Sequence, residues 1–126
     1  MPAITIAVEG NHPTLRFAAQ ELARYLHLAT GQSLPIVPAE QVPDRQILLR
    51  LAQDLPATEE DRIVIEPQGR GYLLRGSNPR SVLFAAYRYL QALGFRWIRP
   101  GARGEIIPRL KNPLARGLHI AETAAY

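Results

Sequence analysis

Apolar and polar positions alternate along the chain with two periods. Ala3 to Val8, "AITIAV", is short, apolar and rich in β-branched residues, which predicts a buried strand. Leu15, Ala18, Ala19, Leu22, Leu26 and Ala29 then recur at i, i+3, i+4 and i+7, one apolar face of a helix. Arg16, Gln20, Arg24 and His27 occupy the opposite face. Pro13 suits the first helical turn and Gly31 the C-terminal cap. Ser33 to Val37 reads as a short strand held towards an edge by Pro35, and Gln46 to Leu51 as another. Ile63 to Glu66 and Tyr72 to Arg75 flank a turn with Pro67 and Gly69, the pattern of a hairpin. A second helix starts with Asn78 as N-cap and Pro79 in the first turn. Its apolar face is expected to be Val82, Leu83, Ala86, Tyr87, Leu90 and Leu93, with Gly94 as the stop. "FRWIRPG" and "GEIIP" are expected as short strands, and "LHIA" as the start of one. Four strands between two helices do not make a regular βαβ repeat. The expected fold class is therefore α+β: a two-layer domain, a mixed sheet with two helices on one face.

Composition narrows the function classes. A chain of 126 residues with 47% hydrophobic and 21% charged residues suits one globular domain. No apolar run approaches the roughly 20 residues that span a bilayer, and the N-terminus lacks the pattern of a signal peptide. The compartment stays open. The absence of cysteine excludes disulfides, thiolate catalysis and Cys-ligated zinc. Of the 15 basic residues, 14 are arginine and only Lys111 is lysine, giving a net charge of +4. The arginines are spread from Arg16 to Arg116 without a run, so solvated surface is preferred over a nucleic-acid footprint.

Few residues suggest chemistry. The "GSNPR" turn opens a helix, where anions can bind, but no phosphate-loop or dinucleotide fingerprint accompanies it. Ser77 is not in a G-x-S-x-G elbow and reads as a turn serine. His12, His27 and His119 lack metal-ligand spacing, so no metal and no cofactor is expected. Glu59, Glu60 and Asp61 form the only acidic cluster, expected in a solvated loop. Aromatic side chains can serve as sugar platforms, and Trp97, at a strand end, is the best candidate, with packing the competing reading.

Two stretches carry a family resemblance. "FAAQELARYLHLATGQSLPIV" resembles the first helix and following strand of the non-catalytic domain that precedes several glycoside hydrolase barrels. "GYLLRGSNPRSVLFAAYRYLQALGFRWIRPG" is similar to the second half of that domain. The group is the β-N-acetylhexosaminidase domain-2-like one, in its α-glucuronidase-like and glycoside hydrolase-like bacterial versions. The resemblance spans roughly residues 3 to 108, and Ser81 stands where the family often has glycine. It implies a zincin-like topology without the metal motif, with the catalytic carboxylates in a downstream (β/α)8 barrel.

On this resemblance residues 1–108 are an accessory domain. Residues 109–126 are a linker and the possible start of a truncated barrel. "RGLHIA", Arg116 to Ala121, is similar to the first barrel strand of hexosaminidase-like enzymes, where the arginine contacts the sugar. Arg116 and Trp97 are thus the two candidate substrate-binding residues, and no catalytic residue is expected. The partner implied is the barrel of the same chain. Two alternatives stand beside it: a self-sufficient module for acidic glycans, resting on the arginines and Trp97, and, weaker, a nucleic-acid-binding domain.

Overall fold

The structure, a computed structural model, describes residues 4–39, 45–52, 61–97 and 105–124. In chain order the elements are β1 (Thr5–Val8), α1 (Pro13–Thr30), β2 (Ile36–Pro38), β3 (Gln46–Leu51), β4 (Asp61–Gln68) and β5 (Gly71–Gly76). α2 (Pro79–Leu93), β6 (Arg96–Trp97), β7 (Glu105–Ile106) and β8 (Ile120–Ala124) follow. Six strands form one mixed sheet in the order β2-β1-β3-β5-β4-β8, while β6 and β7 pair separately. The fold class is α+β.

Connection type explains the mixture of directions. β1 runs parallel to β2 and to β3, and β3 parallel to β5. Parallel neighbours need a long crossover, and α1 supplies it between β1 and β2. β4 and β5 pair antiparallel because only two residues, Gly69 and Arg70, separate them. β8 then pairs antiparallel with the outer side of β4, from Asp61–Ala124 to Ile65–Ile120.

Both helices lie on one face of the sheet. Ile6, Val8, Ile47, Leu49, Ile63, Ile65, Tyr72 and Leu74 share one core cluster with the buried positions of both helices. Ala7, Leu48 and Leu73 point the other way and form a second cluster with Val37 and Ala39, without any helix residue. Period-2 alternation delivers this split. Central β3 is buried at four consecutive residues, Gln46 to Leu49, as a strand covered on both faces should be.

The helix ends follow their local chemistry. The His12 imidazole accepts from the Thr14 amide at the start of α1, and the Asn78 side chain accepts from the Ser81 amide at the start of α2. Gly31 and Gly94 close the two helices in the left-handed conformation that L side chains avoid.

Two expectations need correction. The sheet-facing side of α2 is Ser81, Val82, Ala85, Ala86, Tyr89 and Leu90, whereas Leu83, Tyr87 and Leu93 are only partly buried. Leu83 and Tyr87 turn towards the flank because successive residues rotate by about 100° on a helix. Asp61 is not part of a solvated loop: it opens β4 and is 4% exposed. Glu59, Glu60 and residues 98–101 of the expected "IRPG" segment lie outside the described residues.

Candidate functional site

Three groups of side chains are built around elements that the chain brings together over long sequence distances.

The first is an aromatic cluster at the helix–helix seam. The Trp97 ring meets Tyr25 edge-on at 5.4 Å and Tyr87 edge-on at 5.6 Å. Phe95 stacks against it at 6.3 Å and meets Tyr25 at 5.8 Å. Such pairs contribute about 0.5–1.5 kcal/mol each beyond area burial. Hydrogen bonds lock the same rings. Trp97 Nε1–H donates to the Tyr25 hydroxyl at 3.2 Å, and that hydroxyl donates to Glu105 Oε1 at 2.8 Å. The Tyr87 hydroxyl donates to Glu21 Oε1 at 2.8 Å, and the Arg24 guanidinium lies 4.5 Å from the Tyr25 ring centre. Trp97 is therefore half-buried, with ring contacts on several sides and its N–H engaged. The β6–β7 ribbon is fastened to α1 through this cluster.

Helical geometry extends the cluster outward. Phe17, Glu21, Arg24 and Leu28 share the side of α1 away from the sheet, and Phe84 and Tyr87 share the adjoining side of α2. Phe17 is 47% and Leu28 52% exposed, and Ile106 of β7 is 49% exposed. The outer surface of α1 thus mixes exposed Phe17 and Leu28 with the exposed polar residues Arg16, Gln20, Arg24 and His27.

The second group sits at the β5–α2 turn. Asp61 accepts from Asn78 Nδ2 at 2.6 Å and from Arg80 Nε and Nη2 at 2.9 and 3.2 Å. Asn78 Oδ1 accepts in turn from the Ser81 amide and hydroxyl, at 2.8 and 3.0 Å, and Ser77 Oγ accepts from the Arg62 amide. The Arg80 contact, then Asn78, holds the Asp61 carboxyl below its ordinary value. This network welds the "GSNPR" turn to the first residue of β4, and the Ser77, Ser81 and Val82 amides at the helix start donate to acceptors of the protein itself.

The third group holds the tail. Tyr89 and Tyr72, both buried, lie with ring centres 5.6 Å apart. The Tyr89 hydroxyl donates to the Pro113 carbonyl at 2.8 Å and accepts from the Ala115 amide at 3.0 Å. The Tyr72 hydroxyl accepts from the Leu118 amide at 3.0 Å. Arg116 is exposed on this segment. It lies on the connection into β8, whereas Trp97 belongs to the aromatic seam, so the two candidate residues sit in different groups.

Tyr87 and Tyr89 are poised to reveal their surroundings by titration. Burial, aided at Tyr87 by the Glu21 carboxylate, pushes both phenols above their ordinary range. A group raised in the folded state contributes stability that is present below its unfolded value, about 10 for tyrosine, and lost as pH rises through the folded one. Spectrophotometric titration at 295 nm is expected to show two of the five tyrosines ionising in a late, cooperative step that coincides with alkaline unfolding. Ionisation of every tyrosine near pH 10 with retained structure would contradict the burial of Tyr89 and the bond from the Tyr87 hydroxyl to Glu21.

Among the described residues, no group of three or more His, Asp or Glu side chains gathers to hold a metal ion. The three groups are only partly visible in the sequence. Asp61 and Asn78 are 17 residues apart, and Glu21 and Tyr87 are 66 apart. The one local signal is the pair Tyr87 and Tyr89, two positions apart on one helix and so facing different neighbours.

Solved structures share the fold. A GH138 enzyme that targets pectin rhamnogalacturonan II matches with a TM-score of 0.58 and 20% identity. That match covers 71% of this chain and 10% of the enzyme. The GH20 β-N-acetylhexosaminidase of Streptomyces coelicolor A3(2) matches with a TM-score of 0.56 and 22% identity, over 94% of this chain and 21% of that one. The chain thus spans about a tenth and a fifth of these two proteins, and the likeness is one of fold. No family model matches the chain, and no curated protein does.

Proposed function

We propose that this chain is a non-catalytic accessory domain of a glycoside hydrolase, with residues 1–108 as the domain and residues 109–126, which pack on it and add β8 to its sheet, leading towards a downstream (β/α)8 catalytic barrel. The observation that carries this reading is the likeness of fold to a small part of two glycoside hydrolases from different families, GH138 and GH20. The stretches similar to the β-N-acetylhexosaminidase domain-2-like group point the same way. Exposed Phe17 and Leu28 on α1, with half-buried Phe84 and Tyr87 on α2, also favour it. Exposed apolar surface of this kind marks an interaction face, and the barrel is the partner proposed for it. Arg116, exposed on the connection, is the residue proposed to reach a sugar, through the fork of N–H donors that a guanidinium presents to hydroxyl or carboxylate oxygens. Trp97 is proposed as part of the frame behind that face.

The test uses the isolated chain and the separately produced barrel encoded downstream. The chain alone is expected to leave a panel of aryl glycosides unhydrolysed. It is expected to bind the barrel, and Phe17→Asp or Leu28→Asp to weaken that binding at least tenfold, since each buries a charge in an apolar contact. Turnover by the chain alone, or an open frame with no barrel, would overturn the reading.

A further inference from the structure

Arg116 and Gly117 form a turn between two amides that buried tyrosines hold. On its N-terminal side, the Ala115 amide donates to the Tyr89 hydroxyl at 3.0 Å. On its C-terminal side, the Leu118 amide donates to the Tyr72 hydroxyl at 3.0 Å. The two rings are neighbours, 5.6 Å apart and inclined by 60°, on the last turns of α2 and the start of β5. Both side chains are almost wholly buried, Tyr72 at 4% and Tyr89 at 0% exposure, so neither hydroxyl can exchange its partner for bulk water.

The approach to the turn is tied as well. The Leu110 amide donates to the Ala29 carbonyl at the end of α1, and the Gln32 side chain donates to the Lys111 carbonyl. Asn112 Oδ1 accepts from the Leu114 amide, and the Tyr89 hydroxyl donates to the Pro113 carbonyl. Leu114 is buried at 9% exposure. A segment with this many fixed backbone groups is an arm of the domain, unlike a polar tether whose ends move independently. Arg116 is exposed, and among the described residues its guanidinium takes part in no hydrogen bond or ion pair. The chain therefore fixes the backbone on both sides of a cation and leaves its head group unengaged.

We infer that Tyr72 and Tyr89 are positioning residues for Arg116: their hydroxyls seat the 115–118 turn so that the guanidinium is offered from a fixed backbone to an acceptor-rich group, a sugar hydroxyl or carboxylate. The inference rests on the proposed role of Arg116 in reaching a sugar. Pre-organisation of this kind lowers the ordering cost of binding.

The experiment is amide hydrogen exchange with ¹⁵N relaxation on the 126-residue chain and its Tyr72→Phe and Tyr89→Phe variants. Phenylalanine removes only the hydroxyl and keeps the ring in the core. Tyr89→Phe is expected to accelerate exchange at Ala115 and Tyr72→Phe at Leu118, each roughly tenfold, with β3 and β5 core amides unchanged. In the double variant the order parameters of Arg116 and Gly117 are expected to fall below about 0.6. A purely structural role would accelerate the same two amides but leave binding of uronic-acid oligosaccharides by the chain–barrel complex unchanged in the double variant, whereas positioning of Arg116 weakens it roughly tenfold at an unchanged melting temperature; unchanged binding overturns the inference. So would unprotected Ala115 and Leu118 amides in the parent chain. Arg116→Ala separates the two readings: it is expected to leave the exchange pattern intact and to weaken uronic-acid oligosaccharide binding roughly tenfold, and unchanged binding in Arg116→Ala would overturn the sugar contact while the exchange data still report on the seat.

Discussion

Gly71→Ala is expected to unfold the protein or lower its melting temperature by 10 °C or more, on the order of 3 kcal/mol at about 4 °C per kcal/mol for a chain of this size. The reason is space. A Cβ on Gly71 would stand 1.9 Å from the carbonyl oxygen of Gln46 and 2.6 Å from its amide nitrogen. These are backbone atoms of the neighbouring strand β3, so no rotamer change relieves the contact. Gly76→Ala is expected to act alike. Its Cβ would stand 2.4 Å from the Val82 amide nitrogen and 2.6 Å from the Ser81 carbonyl carbon, where β5 runs under the first turn of α2. Gly31→Ala is the control. It meets nothing within 4 Å and suffers only from its left-handed backbone, at about 1–2 kcal/mol. Thermal melts followed by circular dichroism rank the three variants. Gly71→Ala melting within a few degrees of the parent would show that β3 and β5 do not approach as closely as described.

Asp61→Ala is expected to cost about 1–3 kcal/mol, because it leaves the part-buried Asn78 side-chain amide without its acceptor and removes the Asp61–Arg80 contact. The loss should appear at the β4 start and the N-terminal turn of α2 together, since one carboxylate serves both. Acid dependence separates charge from shape. The Asp61 carboxyl is held below its ordinary value, chiefly by Arg80 and then by Asn78. A depressed carboxylate contributes stability that is present above the unfolded value, about 3.9, and lost as pH falls through the folded one. Urea unfolding at pH 7 should therefore show the parent clearly more stable than Asp61→Asn. At pH 3 and below the difference should shrink towards zero. An equal gap at both values would mean that the carboxylate charge is not what holds the turn.

How much of this is legible in the sequence depends on the range of each interaction. The α1 face Leu15, Ala18, Ala19, Leu22, Leu26 and Ala29 is readable, since burial of one helical stripe is written in the i, i+3, i+4 spacing. The caps at Asn78, Gly31 and Gly94 are readable because they act within a few residues. The β4–β5 hairpin is readable from Gly69 at its turn, although Pro67, expected in the turn, lies in β4 and pairs with Tyr72. The α2 face is legible by half: Val82, Ala86 and Leu90 face the sheet as their spacing predicts, but the spacing points to Tyr87 where the fold buries Tyr89. A tyrosine satisfies either environment, and only the presence of a hydroxyl partner decides which.

The chemistry-bearing groups are the least legible. Trp97 could be a platform or a packed ring by composition alone. The contacts with Tyr25, Tyr87 and Phe95 arise only when β6 returns beside α1, 72 residues after Tyr25. Asp61 looks like a member of an acidic loop, since its neighbours Glu59 and Glu60 share its charge. Its engagement with Asn78 and Arg80 is a consequence of β4 and α2 starting side by side.

The sequence by itself determined the element order, the α+β class, the helix ends and the hairpin, because these follow from periodicity, caps and turn residues acting over one or two turns of chain. Tertiary structure alone decided the strand order β2-β1-β3-β5-β4-β8, the second buried face at Leu48 and Leu73, the aromatic seam, the Asp61 junction and the tyrosine seat beneath Arg116. Each of these joins groups many residues apart, and their pairing depends on which surfaces the closed core leaves facing one another.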